Sequence, residues 1–157
     1  WGLARRVGIS EDQARAGIHR RNRRYPVVVE WGHKQVAMAQ SLDYVKSTMG
    51  RRVWINRYAR YGGADRNAIN SPIQTTAAEQ TKLWQNLLHK WCRDDGYDYS
   101  ICLAVHDEVV ADVPLETAAA WRKEMRSMGI ESGRVTVPGF AMKVKVTTGV
   151  SWGDKGK

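Results

Sequence analysis

Residues 101–113 constrain the fold of this chain more than any other segment. They form two largely apolar runs, rich in β-branched residues, that meet at His106, Asp107 and Glu108. Such runs predict a β-hairpin, because buried strands favour valine and isoleucine. The junction suits a tight hairpin poorly, since it offers no glycine for a positive φ and sets two carboxylates side by side. A departure from the usual residues of a hairpin turn indicates a functional site. A divalent metal ion bound by carboxylate oxygens would explain the two adjacent acids.

The competing interpretation is an ordinary exposed turn, in which Asp and Glu are common. A second segment upstream, residues 66–79, favours the functional interpretation over the ordinary turn. In it Arg66, Asn70 and Gln74 are spaced by four and lead into a predicted helix. Together with the His-Asp-Glu junction, this pattern favours a functional interpretation of both segments.

The two segments resemble the C-terminal part of a family A DNA polymerase, the family of bacterial DNA polymerase I. That family carries an Arg, an Asn and a Gln at this spacing, and its motif C is the His-Asp-Glu hairpin of the palm subdomain. Two further stretches match in the same order, residues 44–52 and residues 2–10 with the downstream Tyr25 and Pro26. The resemblance therefore extends over essentially all 157 residues.

Two positions depart from the family's pattern. Thr75 stands where the family usually has Gly, and Glu79 stands where it usually has Asp. A Thr at a position that favours Gly indicates a slightly different approach of the backbone to the duplex. Such a change is expected in a diverged branch of the family, for example a phage or viral one. Neither departure affects the residues that are expected to hold metal.

The resemblance implies nucleotidyl transfer with Mg²⁺, which needs two divalent ions about 3.5–4 Å apart. Asp107 is expected to be one of two aspartates that bridge these ions. Glu108 is expected beside the site, as a weaker or water-mediated ligand. His106 is expected to face the minor groove at the primer end. Primer–template DNA and deoxynucleoside triphosphates are the implied partners.

Arg66, Asn70 and Gln74 are expected to contact the minor groove of that duplex. Purine N3 and pyrimidine O2 acceptors occupy the same places in every Watson–Crick pair, so donors there test pair geometry without reading sequence. Gln74 also has a purely structural alternative. The stretch Ser-Pro-Ile-Gln at 71–74 is a good capping box for a helix that starts there.

Half of the two-metal site is expected to lie outside this chain. In the family, motif A supplies the other aspartate well upstream, and the nucleotide-binding helix is expected to end just before Trp1. Asp98, followed by Tyr99 and Ser100, imitates motif A. At strand rise, however, it is about 25–30 Å from Asp107, too far to share an ion. The chain alone is therefore predicted to be inactive, with the missing upstream polymerase segment as an expected partner.

The charge balance favours a polyanionic partner. The formal net charge is +9, and arginine suits phosphate because of its planar fork of donors. A generally basic protein or a binder of anionic membranes remains an alternative. Arg51 and Arg52 are weaker candidates, for backbone phosphates. The arginines form two clusters: Arg20, Arg21, Arg23 and Arg24, and Arg51, Arg52, Arg57, Arg60 and Arg66.

Membrane insertion and a disulfide scaffold are not expected. No run of 18 apolar residues is present, and no signal peptide opens the chain. The two cysteines are too few for a disulfide framework and suit a reducing compartment. The expected location is the cytoplasm of a bacterium or of a phage-infected cell.

The patterning predicts an α+β fold. Fingers-side helices over residues 1–65 are expected to precede an antiparallel palm sheet with packed helices over residues 66–157. A capping box at Ser10 and Gln13 predicts the first helix start, and alternation predicts a strand over residues 142–146. The predicted helices cover residues 11–24, 28–40, 72–92 and 114–128, with Gly129 ending the last, and a short hairpin covers residues 44–55.

Two other functions are open. A non-catalytic nucleic-acid-binding module would use the basic clusters, with an incidental His-Asp-Glu turn. A self-contained metal-dependent nuclease would need a second carboxylate near Asp107, for which Asp112 is the nearby candidate.

A zinc site built from His89, Cys92, Cys102 and His106 is disfavoured. On a strand, Cys102 and His106 are about 13 Å apart, too far to share one ion. Buried cysteines that act as small hydrophobic residues explain the pattern better.

Overall fold

The structure is a computed structural model that describes residues 2–58 and 63–154. Short helices precede two small sheets, and helices pack beside the second sheet, which confirms the predicted α+β class. The pairing is β1 with β2 and, antiparallel, β3 with β4. The elements are α1 (Gly2–Val7), α2 (Glu11–Arg24), α3 (Pro26–Leu42), β1 (Tyr44–Lys46), β2 (Arg52–Trp54), α4 (Gly63–Asp95), β3 (Ser100–Val105), β4 (Glu108–Asp112), a 3-10 turn (Leu115–Thr117) and α5 (Ala118–Thr136).

The start of α2 is the predicted capping box. The Gln13 backbone N–H donates to Ser10 Oγ at 3.1 Å, and the Ser10 backbone N–H donates to Gln13 Oε1 at 3.0 Å. Acidic residues fill the first turn and arginines fill the last, which complements the helix dipole. Pro26 then serves as the first residue of α3, where its missing N–H costs nothing.

The long helix α4 corrects one prediction. It begins at Gly63, nine residues before Pro72, and Pro72 lies inside it. Ser71 is therefore not an N-cap, and the predicted capping box at 71–74 is wrong. A proline inside a helix removes one backbone hydrogen bond. Pro72 is buried, so packing of its ring offsets part of that loss.

The contacts divide the chain into two compact units. The first comprises residues Trp1–Val45 and Trp54–Asn70, and the second comprises Lys46–Val53 and Ser71–Lys157. In the first unit α3 packs through Gly32, where an added Cβ would lie 3.6 Å from Ile69 Cδ1. The division into a fingers side (1–65) and a palm (66–157) stays a prediction.

The core of the second unit joins α4, β4 and α5. Trp84, Leu88 and Cys92 meet Val109 and two side chains of α5. The indole N–H of Trp84 donates to the Met125 carbonyl at 2.8 Å, which satisfies a buried polar group. Burial also raises the pKa of the Cys92 thiol from 9.0 to about 11.

The C-terminal segment lies on α5 instead of joining a sheet. The prediction that Gly129 ends α5 is wrong. Gly129 is buried within the helix, together with Gly133. An added Cβ at Gly129 would lie 3.0 Å from Val144, and one at Gly133 would lie 2.6 Å from Met142 Cβ. The predicted strand at 142–146 is wrong, since residues 141–149 pair with neither sheet. Its alternation is nevertheless real, because every second side chain is half-buried.

Within the described ranges, no helix has the length and apolar character that crossing a membrane requires.

Candidate metal centre and nucleic-acid interface

The two strands of the β3–β4 hairpin meet in a two-residue turn. Val105 pairs with Glu108, so His106 and Asp107 alone form the connection. His106 has a positive φ of 55°, and Asp107 does not, so the first position of the turn adopts a backbone that is favoured by glycine in the primed hairpin turns. The expectation that the junction suits a tight hairpin poorly is thus corrected: the turn forms, and its backbone strain falls on His106.

The turn presents two adjacent carboxylates to solvent. Asp107 and Glu108 are both exposed, and across residues 2–58 and 63–154 neither forms an ion pair. Carboxylate oxygens are the ligands that hard divalent cations prefer. In the same ranges no group of three or more His, Cys, Asp or Glu side chains could hold a metal ion. Asp107 and Glu108 could therefore supply only part of the coordination shell of a metal ion.

Trp152 contacts this site and was not predicted from the sequence. Its indole N–H donates to Glu108 Oε1 at 3.3 Å. The bond joins positions 44 residues apart, and no spacing or motif in the sequence indicates it. Trp152 therefore holds one oxygen of Glu108 and leaves Oε2 and both oxygens of Asp107 available to a ligand.

The structure does not bring Asp112 close to Asp107. Asp112 pairs with Ser100 at the opposite end of the hairpin from the turn. Asp112 lies four positions along the strand from Glu108, a distance of roughly 13 Å. Two carboxylates that far apart do not share an ion, which weakens the nuclease alternative.

The four candidate zinc ligands occupy different surroundings. Cys92 is buried in the core, whereas Cys102 is exposed on β3, where its thiol donates to the Ser100 carbonyl at 3.3 Å. His89 is hydrogen-bonded through Nδ1 to the hydroxyl of Tyr99. Cys92 fits the predicted role of a small hydrophobic residue, and Cys102 does not.

Arg66, Asn70 and Gln74 all lie on α4 and are all exposed. Their spacing of four places successive members about one helical turn apart. Because α4 runs through residues 71–74, the capping alternative for Gln74 no longer applies. Its amide is available as a donor and acceptor at the surface.

Arg51 lies at the tip of the β1–β2 hairpin and pairs with Glu79 on α4. Its Nε donates to Glu79 Oε1 at 2.9 Å. The side chain of Arg51 is 59% exposed, whereas that of Glu79 is 9% exposed. Glu79, noted in the sequence only as a departure from the family's Asp, thus has a structural partner. Arg52 follows at the exposed start of β2.

The first arginine cluster occupies the C-terminal half of α2. Its four members are all exposed, so the positive charge there is available to a polyanion. In the second cluster Arg57 pairs with Asp43 at 2.5 Å, which neutralises one of its charges. Arg60 lies outside the described residues.

The family model of DNA polymerase family A matches residues 1–154. The chain belongs to DNA polymerase family A. DNA polymerase I of Pseudomonas aeruginosa is 29% identical over 97% of the chain. The enzymes of Chloroflexus aurantiacus and Lactococcus lactis subsp. lactis are 31% and 32% identical over the same share. The chain spans 17%, 16% and 18% of these three relatives.

A solved family member also shares the fold. The POL domain of Pol1 from M. smegmatis, in complex with DNA primer-template and dNTP, superimposes with a TM-score of 0.77 at 26% identity. The match covers 84% of this chain and 24% of that chain. The resemblance drawn from the sequence motifs is confirmed at the level of the family. A phage or viral origin stays a prediction.

Proposed function

We propose that this chain is the fingers-side and palm part of a DNA-directed DNA polymerase, with residues 1–65 on the fingers side and residues 66–157 in the palm. The observation that carries the proposal is the strained turn at His106 and Asp107, which presents the carboxylates of Asp107 and Glu108 without an ion pair to any cation of residues 2–58 and 63–154. A family match over residues 1–154 supports motif C as the identity of this turn.

Asp107 is the proposed metal ligand, and Glu108 is the proposed auxiliary ligand. When bound, Mg²⁺ activates the primer 3′-hydroxyl and stabilises charge on the triphosphate. The contribution of the chain is to hold the carboxylates in place. The two-residue turn limits the positions that Asp107 can take, and Trp152 holds Glu108 Oε1, so that Oε2 is the oxygen offered to the ion or its water.

His106, Arg66, Asn70 and Gln74 are the proposed contacts to the minor groove. All four are exposed and carry N–H donors for the acceptors that every Watson–Crick pair presents there. Donors at those places favour a correctly shaped pair at the primer end. That the M. smegmatis domain was solved with DNA primer-template and dNTP supports DNA and a deoxynucleoside triphosphate as partners.

The proposal assigns half of the two-metal site to this chain. Asp107 would supply one of the two aspartates that the family resemblance implies, and a segment outside these 157 residues would supply the other. Asp98 does not qualify, since it precedes β3 and lies on the far side of that strand from the turn. The chain alone is therefore expected not to extend a primer.

The test is primer extension with Mg²⁺, first with the chain alone and then with the upstream polymerase segment of P. aeruginosa DNA polymerase I added. Extension is expected only in the mixture. Asp107→Ala should abolish it, whereas the matched control Asp112→Ala, at the other end of the hairpin, should retain it. Extension by the chain alone would show that the missing-aspartate argument is wrong.

A non-catalytic nucleic-acid-binding module is the second candidate, because the four exposed arginines of α2 are a polyanion-binding surface in their own right. It predicts no extension in either mixture. It also predicts tight, salt-sensitive DNA binding that Asp107→Ala leaves unchanged or improves, since that change removes a negative charge.

A further inference from the structure

Hydrogen bonds fix the tip of the β1–β2 hairpin to two helices. Within the tip, the Ser47 N–H donates to the Arg51 carbonyl at 3.0 Å, and the Arg51 N–H donates to Ser47 Oγ at 3.1 Å. Thr48 joins the tip to α4 and α5: its N–H donates to Thr76 Oγ1 at 3.2 Å, and its hydroxyl donates to the Thr136 carbonyl at 2.6 Å. The backbone of Arg51 is therefore held in one place.

Glu79 is the buried acid that meets Arg51 from α4. One of its oxygens, Oε1, accepts the Arg51 Nε hydrogen bond at 2.9 Å. The other, Oε2, is buried and has no hydrogen-bond partner among the described residues. Burying a carboxylate with one oxygen unpaired is costly. Stability alone therefore does not account for this glutamate, whereas a function that needs its acceptor oxygen beside Arg51 does.

The ion pair leaves most of the Arg51 guanidinium available. Only its Nε is engaged, and in the part of the chain that is described its terminal nitrogens have no other partner. A guanidinium has five N–H donors, four of them on the terminal nitrogens. Those donors match the geometry of phosphate oxygens. Arg51 thus has a fixed backbone, a fixed Nε and a free binding end.

We propose that Glu79 is a positioning residue, which holds Arg51 at the hairpin tip so that its terminal nitrogens bind a backbone phosphate of the primer–template duplex. The inference rests on the proposed function, since it needs primer–template DNA as the partner, and on the sequence-based expectation that Arg51 binds a backbone phosphate. An unrestrained arginine loses rotamer freedom when it binds. Here that freedom is lost before DNA arrives, because Glu79 and the hairpin tip already restrain the side chain.

Simple electrostatics predicts the opposite effect of Glu79. A negative charge beside a phosphate-binding arginine weakens DNA binding, so its removal should strengthen binding. Positioning predicts that the removal of Glu79 weakens binding in spite of the gain in net positive charge. The sign of the change in affinity therefore separates the two roles.

The experiment measures binding of the 157-residue chain to a fluorescent primer–template duplex by anisotropy, at several salt concentrations. The variants are Arg51→Ala, Glu79→Ala, Glu79→Gln and the double alanine variant. Glu131→Ala is the matched control, since Glu131 carries the same charge but pairs with Arg134 on the exposed surface of α5. If Glu79→Ala does not fold, Glu79→Met replaces it, because it fills the space without an acceptor oxygen.

Arg51→Ala should lower the affinity and reduce the slope of log K against log salt by about 1, the loss of one phosphate contact. Glu79→Ala should weaken binding in the same direction, by roughly two- to fivefold, because the Arg51 side chain would then be ordered only on binding. The double variant Arg51→Ala with Glu79→Ala should bind no more weakly than Arg51→Ala alone. Glu79→Gln keeps an acceptor oxygen and should bind at least as tightly as the wild type, and Glu131→Ala should not weaken binding.

Two results would overturn the inference in different ways. If Glu79→Ala and Glu79→Gln both strengthen binding as Glu131→Ala does, Glu79 acts only as a charge, and the phosphate contact of Arg51 stands without it. If Arg51→Ala changes neither the affinity nor the slope, the expectation that Arg51 binds a backbone phosphate is wrong, and the inference fails with it, while the proposed metal site at Asp107 is untouched.

Discussion

The substitution Gly133→Ala tests whether the C-terminal segment is seated on α5 as the structure has it. A Cβ at this position would lie 2.6 Å from Met142 Cβ and 3.2 Å from Met142 Cγ. Carbon atoms pack at about 3.5–4.0 Å, so the segment must move away by about 1 Å. The new methyl cannot rotate aside, because the backbone fixes the direction of a Cβ.

Two terms of opposite sign determine the result. Replacing a helical glycine by alanine stabilises a helix by about 0.8–1.0 kcal/mol. Overpacking a well-filled contact costs about 1–3 kcal/mol. Gly133→Ala should therefore lower the free energy of unfolding by up to about 2 kcal/mol. Gly17→Ala, in α2 with nothing within 4 Å of the added Cβ, should raise it by up to about 1 kcal/mol.

The assay is urea unfolding, followed for the second unit by the reaction of the buried Cys92 with a thiol reagent in a Cys102→Ser background. For Gly17→Ala, which lies in the first unit, unfolding is followed by the loss of helical circular dichroism. Met142→Gly removes the Cβ that the new methyl would strike. In that background Gly133→Ala should become stabilising, with a coupling energy of about 1–3 kcal/mol between the two positions. If Gly133→Ala stabilises the chain equally with and without Met142, the contact is absent and the reasoning is refuted.

Two further predictions concern the thiols and the strained turn. At pH 8 one thiol per folded chain, Cys102, should react quickly with a disulfide reagent, because burial raises the pKa of Cys92 to about 11. Since that folded pKa lies above the usual 9.0, the free energy of unfolding should also fall between about pH 9 and pH 11; titration of a Cys92→Ala variant supplies the control. His106→Gly should raise the free energy of unfolding by up to about 1 kcal/mol, since it relieves a left-handed backbone. The same variant should lower primer extension in the reconstituted mixture. Unchanged extension would argue against a role for His106 at the primer end.

Local signals in the sequence predicted local structure well. The capping box of α2 formed as expected, because Ser10 and Gln13 satisfy each other's backbone groups without help from the rest of the fold. The hairpin at 101–113 also formed, since its apolar runs and polar junction lie within one short segment. The turn that carries the candidate site could be predicted for the same reason, while the role of Asp107 and Glu108 there stays a prediction.

Features that depend on distant packing were not predicted. Pro72 indicated a helix start, yet burial of Pro72 lets α4 run through it. Gly129 indicated a helix end, yet it is buried because the segment around Val144 lies against it. No local pattern distinguishes a glycine that ends a helix from one that makes room for another segment.

Two contacts between residues that are far apart in the sequence could not be predicted, for a related reason. Trp152 reaches Glu108 across 44 residues, and Arg51 reaches Glu79 across 28. Each pair is formed by the tertiary fold and leaves no periodicity in the sequence. The alternation at 142–146 was a correct signal of one buried face, but it did not identify the surface that buries it.

The identity of the residue at the apex of the turn depends on the core beneath it. Side chains of a strand alternate between two faces, so the burial of Val109 in the core places Glu108 outward. A slip of one residue in the register would expose Val109 and move another residue to the apex. The strain at His106 costs about 1–3 kcal/mol, and burying a valine contributes about 1.5–3 kcal/mol. Packing of one core valine is therefore large enough to hold the strained turn with Asp107 at its apex, the position of the proposed metal ligand.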